Sequence, residues 1–89
     1  MTNVSTDHPA GIPYIELTDE GRKISFRKDC LGELKILRKV NESDWETLIQ
    51  RTNPPYVDQE AFPRGTKLTY AIELELHNEK KEYELEVRL

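Results

Sequence analysis

Hydrophobic and polar residues alternate most cleanly toward the C-terminal end of the chain. Leu68, Tyr70, Ile72, Leu74 and Leu76 alternate with Thr69, Ala71, Glu73 and Glu75, and Tyr83, Leu85, Val87 and Leu89 alternate with Glu84, Glu86 and Arg88. A period of two sends successive side chains to opposite faces of a strand, so these runs predict a long hairpin with one apolar face. Pairing Leu76 with Tyr83, Leu74 with Leu85 and Ile72 with Val87 keeps the apolar sets together. That register sets Glu75 against Glu84 and Glu73 against Glu86 on an acidic outer face.

Three shorter runs precede it, over residues 12–18, 22–28 and 33–40, separated by Asp19-Glu20-Gly21 and Cys30-Leu31-Gly32. Each connection ends on glycine, which suits a tight turn, and Thr18 and Asp29 can accept hydrogen bonds from the turn amides. The expectation is a β-meander whose second hairpin pairs Phe26 with Ile36 and Ile24 with Arg38. The even-numbered positions then form its apolar face, with Arg22 and Arg38 at ragged, charged ends.

After Val40 the period changes. Trp45, Leu48, Ile49 and Thr52 follow a helical i, i+3, i+4, i+7 spacing, and Ser43-Asp44-Trp45-Glu46 has the form of a capping box. A short helix is predicted there, ended by Pro54-Pro55 and lying on the sheet. Residues 53–66, with three prolines and a glycine, read as a long loop. The fold class expected is therefore α+β: a mostly antiparallel five-stranded sheet with one short helix and a C-terminal hairpin, curled toward a small barrel. Residues 1–11 read as a disordered N-terminal tail and 12–89 as one small domain. The predicted core is Ile24, Phe26, Leu34, Ile36, Trp45, Leu48, Ile49, Leu68, Tyr70, Ile72, Leu74, Leu76, Tyr83, Leu85 and Val87.

Composition supports one modest core. The chain has 89 residues, of which 34% are charged, with a mean hydropathy of −0.75. Leu, Ile, Val and Phe still make up about a quarter of it, enough for a folded domain. No apolar run is long enough to span a bilayer and the first residues lack a signal-peptide pattern, so a soluble, cytoplasmic protein without membrane contact is expected. The formal charge of −4 is unevenly spread, since residues 21–40 carry seven bases against two acids.

Few residues suggest chemistry. Asn53-Pro54-Pro55-Tyr56 resembles the NPPY motif of amino-methyltransferases acting on adenine N6. In that family the Asn side chain and a proline carbonyl hold the amino group, and the aromatic ring stacks on the flipped base. The resemblance spans four residues, and the chain has no Gly-rich cofactor turn, so the motif reads as a helix stop and loop anchor. Cys30, His8 and His77 have neither metal-ligand spacing nor a nucleophile–base arrangement, so no metal, cofactor or catalytic residue is assigned.

Two surfaces remain. The first expectation is a small non-catalytic binding or regulatory protein acting through protein–protein contacts, self-association among them. Tyr56, Phe62 and Arg64, residue types common at interface anchors, mark the contact loop. The alternative is an OB-like module that binds single-stranded nucleic acid on a basic hairpin, through Lys23, Arg27, Lys35 and Lys39. The net negative charge weighs against it, because such binding draws its affinity mostly from counterion release. The basic hairpin and the acidic face of Glu73, Glu75, Glu84 and Glu86 are complementary, within one chain or between copies.

Overall fold

The structure, a computed structural model, describes residues 13–26, 32–76 and 78–89, with Leu76 described by its backbone alone. The expected tail, Arg27, Cys30 and His77 lie outside the described residues. Seven strands follow one another: β1 (Pro13–Thr18), β2 (Gly21–Phe26), β3 (Glu33–Val40), β4 (Glu46–Thr52), β5 (Tyr56–Asp58), β6 (Lys67–Leu76) and β7 (Glu79–Arg88). They form two antiparallel sheets, ordered β1-β2-β5 and β4-β3-β6-β7. Ile24 and Phe26 from the first sheet and Leu34, Ile36, Leu68, Tyr70, Ile72 and Leu74 from the second share one buried core. All eight belong to the core expected from alternation.

The β1–β2 hairpin forms as its sequence suggests. Thr18 pairs with Gly21, and the Thr18 hydroxyl accepts from the amides of Glu20 and Gly21, both at 3.2 Å. It also donates to the Gly21 carbonyl at 3.0 Å. Gly21 has a φ of 144°, and a Cβ there would run into the Asp58 carbonyl oxygen of β5. Glycine is thus required twice, once by the backbone angle and once by the approach of a neighbouring strand.

The α+β expectation is overturned: among the described residues there is no helix, and in place of one five-stranded sheet there are two sheets that close no barrel. The segment expected to be helical is β4. It pairs with β3 through Leu34–Thr52, Ile36–Ile49, Leu37–Thr47 and Arg38–Glu46, with register shifts on either side of Ile36. Each shift places one extra residue on β4, as a β-bulge does. Inward positions therefore recur every third residue, at Glu46, Ile49 and Thr52, opposite an ordinary period of two on β3. Two bulges in succession imitate the spacing of a helical stripe, and Trp45 ends up exposed rather than in the core. Ser43, expected as a helix cap, closes the β3–β4 turn instead. Its hydroxyl donates to the Val40 carbonyl at 2.7 Å and accepts from the Val40 amide at 3.3 Å.

The expected pairing of β2 with β3 does not form either. The chain crosses from one sheet to the other between them, so β2 pairs with β1 and β5 while β3 pairs with β4 and β6. The final hairpin forms in a different register. Leu76 lies opposite Glu79, Ile72 opposite Tyr83, Tyr70 opposite Leu85 and Leu68 opposite Val87. This moves the pairing by four residues, an even number, so the apolar face survives. The cause is the turn: only two residues separate the strands, and Asn78 takes a φ of 65°, which asparagine tolerates in tight hairpins. Leu48, Ile49, Tyr83, Leu85 and Val87 are half-buried and packed on the core margin.

Gly65 also has a positive φ, 93°, but a Cβ there would meet nothing within 4 Å. Gly65→Ala is expected to cost about 1–2 kcal/mol from backbone strain alone. Gly21→Ala adds a backbone collision and is expected to cost more. Urea denaturation of the two variants reads the difference.

Candidate functional site

The inward-facing row of the sandwich is not wholly apolar. Arg22 and Arg38 occupy the same parity of β2 and β3 as Ile24 and Ile36, so the pleat turns both guanidinium groups into the interior. Asp58, the last residue of β5, meets them there. Its carboxylate receives Nη1 of Arg38 on both oxygens, at 2.9 and 3.2 Å, and Nη2 of Arg22 lies 3.3 Å away. The Tyr70 hydroxyl of β6 donates to the same carboxylate at 2.6 Å and accepts from Nε of Arg22 at 3.1 Å. Arg22, Arg38, Asp58 and Tyr70 are all buried.

The loop after β5 closes the cluster. The Glu60 backbone carbonyl accepts from Arg22 at 2.5 Å, and its carboxylate from Arg38 at 2.8 Å. Glu46 of β4 accepts a further bond from Arg38 at 3.2 Å. The Phe62 ring packs against both cations, 4.8 Å from the Arg38 guanidinium and 5.4 Å from that of Arg22, a cation–π arrangement. Side chains of β2, β3 and β6 thus meet the carboxylate carried by β5, and β4 and the following loop hold the arginines from outside.

The protons in this cluster are fixed. Burial alone would push the Asp58 carboxyl up, but hydrogen bonds from Tyr70, Arg38 and the Glu60 amide, with the charge of Arg38, hold it below the usual carboxylate range. Burial and the facing carboxylate push the Tyr70 phenol well above its ordinary value. Burial also raises the Tyr56 phenol, helped by Asp58. None of these groups is moved toward neutrality, where acid–base transfer would need it. The arrangement clamps two sheets together through an ionised carboxylate and a neutral phenol.

The residues expected at binding surfaces are dispersed. Tyr56 lies in β5 opposite Ile24 and packs on the core, Phe62 covers the two arginines, and Arg64 is exposed in the turn before β6. Lys23 faces outward from the three-stranded sheet, whereas Lys35 and Lys39 face outward from the other sheet, on the far side of the core. Lys35 lies opposite Glu73, and the Lys39 ammonium sits 5.1 Å from the Trp45 ring centroid. Glu73, Glu75, Glu84 and Glu86 do share one outer face, though not in the expected pairs. Glu73 lies between Lys35 and Glu82, Glu75 between Glu33 and Lys80, Glu84 beside Ala71 and Glu86 beside Thr69. An open depression of about 400 Å³ on that face is lined by Glu33, Lys35, Arg51, Glu73, Glu75 and Lys80. Its charges pair among themselves, with Arg51 3.5 Å from Glu33 and Lys80 3.9 Å from Glu73. Asn53 of the Asn-Pro-Pro-Tyr string donates to the Gly32 carbonyl at 3.0 Å, an anchor for the loop.

The four sheet edges differ. β5 has three residues, β1 six and starts on proline, and β4 carries two register shifts and runs into Pro54. β7 has ten residues, no proline and an unbroken ladder with β6. Its two-residue turn makes Leu76 and Glu79 a hydrogen-bonded pair, and at the far end Leu89 donates to Thr66 and accepts from Gly65. Odd-numbered residues of β7 therefore bond toward β6. The backbone N–H and C=O groups of Lys80, Glu82, Glu84 and Glu86 point to the other side, where no ladder joins them among the described residues. β1 approaches β7 from the opposite sheet without pairing to it.

Comparison with family models, curated protein sequences and solved structures gave no match. Among the described residues no group of three or more metal-ligating side chains converges, and no helix is long and apolar enough to cross a membrane.

The clamp sets two expectations for stability. Asp58→Ala leaves two arginines buried without their shared anion and is expected to cost about 3–5 kcal/mol, against about 1–3 kcal/mol for Tyr70→Phe. Because the folded-state pKa of Asp58 lies below its ordinary value of 3.8, its contribution is complete above that value and is lost as pH falls through the folded pKa. Urea midpoints measured from pH 6 downward are expected to fall below about pH 4, and Asp58→Asn is expected to flatten that fall.

Proposed function

We propose that the chain is a small non-catalytic binding protein that takes up an extended segment of a partner protein along the open edge of β7. The observation that carries this reading is the β7 edge itself. It is long and regular, its outward backbone groups belong to no ladder among the described residues, and it is the edge strand with the fewest devices against pairing. Tyr83, Leu85 and Val87 support it as well. They are half-buried on the inward face, so an added strand would cover apolar surface that β6 leaves open on one flank.

The loop of Tyr56, Phe62 and Arg64 has less to offer a partner, since two of its aromatics are already engaged with the core and the arginine pair. Lys23 stands apart from Lys35 and Lys39, so these three, among the described residues, make no continuous cationic track for a nucleic-acid strand.

Panning a random-peptide display library against the full chain tests the proposal. Enriched peptides are expected to slow hydrogen exchange at the amides of Glu82, Glu84 and Glu86. Glu84→Pro removes one outward N–H that the β6 ladder does not use, so the variant is expected to fold and to lose the peptides. Enriched peptides that protect the 59–66 loop or β1 instead, or that bind Glu84→Pro as tightly, would overturn it.

A further inference from the structure

Resting on the β7-edge reading, we infer that the segment it takes is a basic strand, with Lys or Arg at alternate positions and apolar side chains between them. β7 offers two rows to such a strand. Glu82, Glu84 and Glu86 stand exposed on the outer face, and Tyr83, Leu85 and Val87 stand on the inner one. Neither Ala71 nor Thr69, the cross-strand neighbours of Glu84 and Glu86, neutralises a carboxylate. A strand laid against β7 would place its own outward side chains directly opposite this row, where unlike charges attract and like charges repel.

The same row offers a second copy of the chain less than it offers a basic strand, because a copy brings glutamates as well as Lys80 and Arg88. Two β7 strands pairing antiparallel must align odd with odd positions to keep their apolar faces together. Every such register that overlaps seven or more residues sets a glutamate against a glutamate. The facing pairs are Glu82 with Glu82, Glu82 with Glu84, Glu84 with Glu84, or Glu84 with Glu86. By two-fold symmetry the Glu82–Glu84 and Glu84–Glu86 clashes occur twice and the other two once, on the axis. In every register except that of Glu84–Glu84 a Lys80 or Arg88 faces a glutamate and offsets them. A partner that instead alternates cations with valine-like residues satisfies both rows at once.

The test uses two synthetic peptides of about eight residues, one alternating lysine with valine and one alternating glutamate with valine. Affinity is read by fluorescence anisotropy on the full chain, and location by amide hydrogen exchange. The lysine peptide is expected to bind at least tenfold more tightly than the glutamate peptide, to protect Glu82, Glu84 and Glu86, and to weaken as salt is raised. The triple variant Glu82→Lys, Glu84→Lys, Glu86→Lys is expected to reverse the preference, and Glu84→Pro to bind neither peptide.

Equal affinities with protection on β7 would overturn the inference and leave the edge reading standing. Protection elsewhere, or binding of neither peptide, would overturn both. A dimer in sedimentation equilibrium with β7 amides protected would assign the edge to a second copy. The same protection in a peptide-free monomer would assign it to the chain's own remaining segments. Either result would overturn the inference.

Discussion

One ionised carboxylate, that of Asp58, sets the relation between the two sheets. It accepts hydrogen bonds from Arg38 and Tyr70 and forms an ion pair with Arg22, three residues on three strands. Glu46 and Glu60 accept from the arginines' remaining Nη groups, and the buried Arg38 Nε has no partner among the described residues. Buried ion pairs of this kind contribute little net stability, because desolvation offsets most of their attraction. Their effect is on geometry, since a misplaced guanidinium would be left charged and unpaired. Shifting β2 or β3 by one residue would replace Arg22 with Gly21 or Lys23, or Arg38 with Leu37 or Lys39, none of which offers Asp58 a planar guanidinium. The cluster therefore penalises sliding of one sheet on the other, which an apolar core of similar-sized side chains would permit more readily. Gly21 belongs to the same constraint, because its missing side chain lets β2 come up against the Asp58 backbone.

The clamp is one-sided. It joins β5 to β3 through Asp58 and Arg38 and reaches β4 through Glu46, and Asn53-Pro54-Pro55 connects β4 to β5, so that flank of the sandwich is held both covalently and ionically. On the other flank β1 and β7 approach without a ladder. A two-sheet fold of this size must leave edges somewhere. Here the shorter ones are protected by length, by bulges and by proline, while the longest is protected only by its charges.

Alternation made much of this legible in the sequence. The strands β1, β2, β3, β6 and β7, the two hairpins β1–β2 and β6–β7, and the eight buried hydrophobics all follow from a period of two. Three features escaped for separate physical reasons. β4 escaped because two bulges stretch its inward spacing to three residues, which the eye takes for a helix. The β2–β3 crossover escaped because a strand keeps the same parity whether its successor pairs with it or faces it from another sheet. The β6–β7 register escaped because moves by even steps leave the apolar face intact, so only the turn decides. The arginines of the clamp were visible as charged residues on the inward parity of β2 and β3. Their anion was not, since Asp58 and Glu60 lie in a segment without periodicity.

The net charge of −4 also conceals a layout that only the topology exposes. The two cations nearest the core are consumed by Asp58, Glu46 and Glu60. Lys35 and Lys80 flank Glu73 on the outer face of the four-stranded sheet. What lacks a cross-strand cation is the run of Glu82, Glu84 and Glu86 along the β7 edge, bordered by Lys80 and Arg88 at its ends. Carboxylates spaced every second residue on an edge discourage association of identical strands, the commonest hazard of an open ladder. The discrimination is not symmetrical, though, because a row of like charges repels its own kind and attracts the opposite kind with similar strength. An edge defended by charge alone is therefore an edge that discriminates by charge.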